Sequence, residues 1–411
     1  VKPADISAVP PAAQTQSPLD LFLIFIGANV VATTFQVGAS LATSFAVGPS
    51  LWLVVAGSVT GALLVAALAP LGSRLRVPSL IATRPALGVQ GAAVVAVLLY
   101  GSNFAWIALN NVIAASACAR ALGGSESAWG VALGILATLV VWIGPRAVAI
   151  ADRVAVPLLL SLGVSLTIAC LRAPPAPAGP AVPAMSWSRG LDVVIGYQVS
   201  WILMFADYSR YTRSPRASGV AVFVALGSTS IWLMPLGTVA ARAAGSDDPG
   251  AMFAAVGLGA AGAALLALAT LTTNFVNIYM SALAWKTLLP RTRDSIVVWS
   301  IGMVGAFLSA VPALWLQQYA NFMMVLGATL VPVGGVLIAH YYLTSDTRVP
   351  PNGLVAALYD SSGPFRGVSI AGMTAWGVGA AAYFLAGSIG GTLPALASSI
   401  VVYLGLRRMI S

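Results

Sequence analysis

Apolar residues are gathered along this chain into twelve blocks, at about 19–46, 50–72, 90–120, 127–147, 151–172, 190–211, 217–241, 258–287, 295–314, 319–343, 366–387 and 389–406. The breaks between them are short and hold most of the charge. Each block is close to the roughly 20 residues that a helix needs to cross a bilayer. The pattern therefore predicts an all-α membrane protein of about twelve transmembrane helices. A shorter amphipathic stretch, Ala251 to Leu258, reads as a surface helix ahead of the eighth block.

The first block departs from a plain lipid-facing helix. It opens as Leu21-Phe22-Leu23-Ile24-Phe25-Ile26, then meets Gly27-Ala28-Asn29, then Thr33, Thr34 and Gln36, and then Gly38-Ala39-Ser40. Small and hydrogen-bonding residues at mid-membrane depth leave carbonyls loosely held, which lipid tolerates only where they face protein or a wet cavity. An interrupted helix at that depth is how transporters build ion and substrate sites. Close packing through small residues is the other reading of the same pattern. The sixth block restarts in a similar way: Leu191-Asp192-Val193-Val194-Ile195-Gly196 parallels Leu19-Asp20-Leu21-Phe22-Leu23-Ile24, and both blocks then turn polar. Five blocks precede the Pro-rich stretch Ala173 to Ala184, so the first and sixth face opposite ways. Similarity between opposed segments points to inverted repeats with a site between them. The expected organisation is a cytoplasmic tail (1–18), a first repeat (19–172), an external Pro-rich loop (173–189), a second repeat (190–343), a cytoplasmic loop (344–365) and a final helical pair with a short tail (366–411).

Charge sets the orientation. Only 8% of residues are charged, against about a quarter in soluble domains. The net charge of +9 is spread over short breaks rather than one patch, which argues against nucleic acid. With the N-terminus inside, sixteen of the twenty Lys and Arg fall on the cytoplasmic side and four, Arg120, Arg172, Arg189 and Arg242, fall outside. Both termini are thus expected in the cytoplasm, in a multi-pass protein of the inner membrane that is a monomer. Residues 1–17 lack the basic flank and cleavage site of a signal peptide. Cys118 and Cys170 form no disulfide or metal pattern.

The residue inventory speaks against an enzyme. His340 is the only histidine, and the blocks hold no carboxylate pair or Cys/His set from which to build a nucleophile–base or ligand cluster. What they do hold suits a solute. Asn103, Trp106 and Asn110 stand at i, i+3 and i+7 on one face of the third block. Buried amides need partners, and an indole beside two amides suits a flat, hydrogen-bonding ligand; amides bridging helices around a space-filling Trp106 is the alternative. In the sixth block Tyr197, Gln198 and Trp201 offer a second aromatic and amide set. Gln36 and Asn277 are further candidates. Thr272 and Thr273, with a carbonyl three or four residues earlier, can place three oxygens around one cation, or can bond back to the preceding turn. Asp207 and Arg210 close the sixth block as an ion pair or gate contact. Asp207 is the only acidic group near a span interior, which leaves H⁺ coupling possible but favours Na⁺.

Five stretches in order carry a resemblance that covers about residues 19 to 406. They are Gly27-Ala28-Asn29, Gly101-Ser102-Asn103-Phe104-Ala105-Trp106, Ala206-Asp207-Tyr208-Ser209-Arg210-Tyr211, Thr272-Thr273-Asn274, and Pro332-Val333-Gly334-Gly335-Val336-Leu337-Ile338-Ala339. Together they resemble the nucleobase–cation symport family, permeases for cytosine, purines, hydantoins, allantoin and some vitamin precursors. The resemblance implies a five-plus-five inverted-repeat, leucine-transporter-like core plus two C-terminal helices. It implies a substrate role for Asn103 and Trp106 as in cytosine-type members, with Asn103 shorter than the usual Gln, and for Asn110 as in hydantoin-type members. It places Gln198 where the family has a stacking aromatic, a departure that Tyr197 or Trp201 would have to make good. It implies a Na⁺ site from the carbonyls of Ala28, Val31 and Ala269 with the hydroxyls of Thr272 and Thr273. His340 replaces an Asp of cytosine-type members and reads as interfacial.

The function expected is import of a small planar nitrogen heterocycle, such as a nucleobase or a pyrimidine vitamin precursor, by cation symport. Segments 1, 2, 6 and 7 would rock against 3, 4, 8 and 9. An amino-acid carrier of the same fold and a non-transporting sensor are the alternatives.

Overall fold

The computed structural model describes residues 6–143, 145–172, 185–344 and 353–410. Lys2, the Pro-rich stretch 173–184 and Arg348 lie outside the described residues, as do the side chains of Arg146 and Arg153. Within them the chain is almost wholly helical. Among the described residues six helices are long and apolar enough to cross a membrane, and one bent pair makes a seventh.

That bent pair is the first block. Helix α1 (Pro18–Asn29) starts on a reciprocal cap: Ser17 Oγ accepts from the Asp20 N–H at 3.1 Å, and Asp20 Oδ2 accepts from the Ser17 N–H at 2.9 Å. It ends where the Val30 N–H donates to Ile26 O at 2.9 Å, so the carbonyls of Gly27 and Ala28 lie past the helical ladder. Val31 is extended, and α2 (Ala32–Ala42) resumes at 53° to α1. The break is held by side chains. Asn29 Nδ2 donates to Thr229 Oγ1 at 2.6 Å and Ser230 Oγ at 2.9 Å, while Thr34 Oγ1 reaches back to Asn29 O at 2.5 Å.

Helix α3 (Val47–Leu75) and the short α4 (Ser79–Ala82) lead to α5 (Arg84–Leu122), which is kinked at Gly88. Gly88 has φ +80°, a conformation that favours glycine, and a Cβ there would overlap Gly367 O. The kink frees backbone groups that the 365–369 segment satisfies: Val89 and Gln90 donate to Phe365 O and Gly367 O, and Ser369 donates to Leu87 O, each at 2.8 Å. Helices α6 (Glu126–Ile143) and α7 (Pro145–Arg172) close the first half.

The sixth block is also irregular. Helix α8 (Trp187–Val199) passes into a 3₁₀ turn at Ser200–Met204 before α9 (Phe205–Ser209). Then come α10 (Pro215–Ala244), α11 (Pro249–Ala255), α12 (Gly259–Leu288), α13 (Asp294–Leu308), α14 (Pro312–Gln317) and α15 (Tyr319–Ile338), which runs on as a π turn over Ala339–Leu343. The stretch expected at the surface, Ala251 to Leu258, overlaps α11, which carries no polar side chain and buries Met252 and Phe253 in protein. Helix α16 (Leu354–Tyr359) precedes the last two, α17 (Ile370–Leu385) and α18 (Thr392–Ile410).

The second, third and fourth blocks pack on the seventh, eighth and ninth: α3 on α10, α5 on α12, and α6 on α13. Each of these helices thus meets the helix five blocks on, an arrangement consistent with a five-plus-five repeat. Helix α2 lies against α10 through two facing glycines. A Cβ at Gly38 would overlap Met234 O, and one at Gly237 would overlap Phe35 O. Backbone on both sides cannot retreat. Gly237→Val should therefore destabilise the protein by about 1–3 kcal/mol or more, read as a lower Tm of the purified protein, whereas Gly227→Ala, with open space around it, should leave Tm unchanged.

Candidate functional site

The two interrupted segments, α5 and α12, line a narrow cleft. From the break after α1 come Ala28, Val31 and Thr33; α5 contributes Asn103, Trp106 and Asn110; α12 contributes Thr273 and Asn277. The sixth block presents Tyr197, Ser200, Trp201 and Met204, spaced i, i+3, i+4 and i+7 as one helical face.

Trp106 is the wall of this cleft. Its ring meets Tyr197 at 5.8 Å and 80° and Phe322 of α15 at 5.3 Å and 70°, both edge-to-face. These contacts fix the indole plane. Tyr197 is itself held by Thr34 Oγ1 at 2.5 Å, and Tyr319 OH donates to Thr33 O at 2.6 Å. Trp201 packs on Phe25 of α1 at 5.8 Å. Of the buried amide atoms without a hydrogen-bond partner among the described residues, two belong to cleft-lining side chains: Asn103 Nδ2 and Asn110 Oδ1. An unpaired buried amide atom costs about 1–3 kcal/mol, which a polar ligand in the cleft would recover.

Beside the aromatic wall lies a group of neutral oxygens. Thr272 Oγ1 and Thr273 Oγ1 both bond back to Ala269 O, at 3.0 and 2.8 Å, so three oxygens converge. Val31 and Ala269 border one further apolar cavity, and Ala28, Val31 and Thr273 border the main cleft. The hydroxyls thus bond back to the preceding turn, one of the two arrangements the sequence allowed; with the carbonyls past the break they are neutral oxygens of the kind a hard cation takes.

A family model for permeases of cytosine/purines, uracil, thiamine and allantoin matches residues 8–405. The chain belongs to this family. The permease is 24% identical to the cytosine permease of Escherichia coli (strain K12) over 343 residues, 81% of this chain and 80% of that one. Its fold is that of Mhp1, a nucleobase-cation-symport-1 family transporter. The TM-score is 0.84 for the inward-facing form, at 18% identity over 98% of this chain and 94% of that one. It is 0.81 for a closed form with bromovinylhydantoin bound, at 19% identity over 100% and 96%. A Na⁺-coupled sialic acid symporter is more distant, with a TM-score of 0.59 and 13% identity over 95% of this chain and 90% of that one. The protein is a transporter rather than an enzyme.

The permease brings together most of the residues singled out from sequence, but not all. Gln198 turns away from the cleft: its Nε2 lies 3.4 Å from Leu226 O of α10, and its side chain packs at Gly61. One residue on from Tyr197, it sits about 100° around the helix from the cleft face. Gln36 is also elsewhere, donating to Asp247 O at 2.9 Å in the link between α10 and α11; burial and the neighbouring Asp248 hold the Asp247 carboxyl above its ordinary range. His340, at the end of α15, is buried in protein, with Nδ1 2.8 Å from Tyr403 OH of α18. The hydrogen bonds of the Asp207 carboxylate go to Ser79, while the Arg210 charge lies near enough to act on it. The carboxylate accepts from the Ser79 N–H at 3.2 Å and Ser79 Oγ at 2.8 Å, while the Arg210 guanidinium reaches Ser7 O and Tyr211 OH. Asp207→Ala would orphan both Ser79 donors at about 1–3 kcal/mol each. A Tm clearly below wild type is expected, with reduced uptake. Ser200, which lines the cleft, and Phe322, which braces Trp106, were missed by sequence reasoning; Tyr319 and Phe322, one turn apart and the two aromatics of α15, were the available signal.

Proposed function

We propose that this permease imports a small planar nitrogen heterocycle together with Na⁺, by alternating access. The observation that carries the reading is the meeting, in one cleft, of an aromatic wall with buried unpaired amides and of the oxygens at the α1–α2 break with Thr273. The ring stacks on Trp106, and Asn103 and Asn110 address its edge from opposite ends. Tyr197 and Trp201 border the same space. The bromovinylhydantoin held by Mhp1, a protein of the same fold, supports a flat ring as the class of ligand.

Na⁺ is read as the co-transported ion, held by the carbonyls of Ala28, Val31 and Ala269 and the hydroxyls of Thr272 and Thr273. Held there, it ties the first helical pair to α12. The two halves act as inverted repeats of residues 19–172 and 190–343, with both termini in the cytoplasm and the monomer as the working unit. The first, second, sixth and seventh blocks rock against the third, fourth, eighth and ninth.

The test is thermal stability of the purified protein against cytosine, uracil, hypoxanthine, allantoin, hydantoin and a set of amino acids, each with Na⁺ or choline. A ligand that binds only the folded state raises Tm by mass action, by about 2.7 kcal/mol of stabilisation at a hundred times its Kd. The reading expects one ring compound to stabilise, and more so in Na⁺. Stabilisation by an amino acid and by no ring would refute it.

A further inference from the structure

Asn274 lies behind the cleft rather than in it, at the centre of a chain of carboxamides whose direction is fixed from one end. Ser309 Oγ donates to Gly305 O at 2.8 Å, and a carbonyl can only accept. The Ser309 oxygen is then left to accept from Asn111 Nδ2 at 3.0 Å. That turns Asn111 Oδ1 toward Asn274, whose Nδ2 donates to it at 2.8 Å. Asn274 Oδ1 must therefore face the cleft side, where it receives Asn110 Nδ2 at 3.5 Å and Asn277 Nδ2 at 3.4 Å. A second tether agrees: Asn110 Nδ2 also donates to Trp106 O at 2.9 Å. Both cleft amides have their nitrogens occupied behind them. Asn110 Oδ1, fully buried, has no partner, and at the other end of the same helical face neither has Asn103 Nδ2.

We propose that Asn274 is a positioning residue that sets the hydrogen-bond polarity of the cleft, holding the oxygens of Asn110 and Asn277 toward the ligand. The permease then selects rings that present N–H groups to Asn110 and Asn277 and a carbonyl or ring-nitrogen acceptor to Asn103. This rests on the reading that the cleft binds a planar heterocycle. Seven residues separate Asn103 from Asn110, about 10.5 Å along the helix, so the donor and acceptor belong on opposite sides of the ring with Trp106 between. A ring that carries acceptors on both sides leaves Asn110 Oδ1 facing another lone pair.

Calorimetric titration of the purified full-length protein tests this with cytosine, hypoxanthine and hydantoin. Each is compared with derivatives in which one N–H is methylated: 1-methylcytosine, 1-methylhypoxanthine, and 1- and 3-methylhydantoin. In the wild type, methylating the N–H that meets Asn110 should weaken binding at least about tenfold. In Asn274→Leu that ratio should fall about fivefold or more, because Asn277 loses the acceptor that holds its nitrogen back and Asn110 keeps the Trp106 carbonyl as its one tether. A purely steric effect of the methyl group would survive the substitution. Ser309→Ala releases the far end of the chain and should lower the ratio in the same direction; it decides the matter if Asn274→Leu does not fold. An unchanged ratio in the folded variants, or a wild type that binds every methylated ring as tightly as its parent, would overturn the proposal while leaving heterocycle binding intact. If none of the parent rings binds, the reading of the cleft fails, and the polarity assignment fails with it.

Discussion

Trp106→Ala is expected to lower binding and uptake of the ring substrate by about a hundredfold or more, with the protein still folded and present in the membrane. Trp106 is the one aromatic in the cleft flanked by amides of its own helix, and it is braced by Tyr197 and Phe322 in edge-to-face contacts. Those contacts hold the indole plane, and Trp106 lines the cleft, where it offers a flat surface to a ring. Truncating an aromatic hot spot costs about 2–4 kcal/mol of binding, and every 1.4 kcal/mol is a factor of about ten. Trp106→Phe keeps a ring plane and should recover a large part of the loss. Surface-resident Trp106→Ala with uptake near wild type would remove Trp106 from the site.

The double variant Thr272→Val/Thr273→Val should abolish the effect of Na⁺ on ligand affinity. The side chains keep their shape, so only the two hydroxyls are lost. Both hydroxyls bond back to Ala269 O, so some stability is also forfeited, about 1 kcal/mol for each bond. Coupling between two ligands is typically worth about 1–3 kcal/mol, or roughly 5- to 150-fold in affinity. The variant is expected to bind the ring as wild type does in choline and to gain nothing from Na⁺. If Na⁺ still tightens binding by the wild-type factor, the oxygens that hold it lie elsewhere.

Much of this was legible in the sequence because membrane-depth polarity is informative. Gly27-Ala28-Asn29 and Thr33-Thr34 marked an interruption, and the structure breaks at Val30–Val31, where Thr34 Oγ1 takes the Asn29 carbonyl that the helix gives up. Asn103, Trp106 and Asn110 could be placed on one face because α5 is regular there and their spacing is helical. Gln198 was misplaced for lack of neighbours in the argument. Its amide suggested a ligand, but Tyr197, Ser200, Trp201 and Met204 already define the cleft face, and Gln198 falls outside that stripe. Gln36 shows a different limit, since its partner Asp247 O is two hundred and eleven residues away and no local pattern reports it. The role of Phe322 was hidden for the same reason: α15 crosses the site only in three dimensions.

Uptake into proteoliposomes tests the central claim most directly. The ring compound that stabilises the protein best is supplied in radiolabelled form outside, with an inward Na⁺ gradient, with equal Na⁺ on both sides, or with choline and an inward H⁺ gradient. The account predicts accumulation above the outside concentration only under the Na⁺ gradient, and none in Thr272→Val/Thr273→Val. Accumulation driven equally well by H⁺ in choline, or binding without any accumulation, would contradict it.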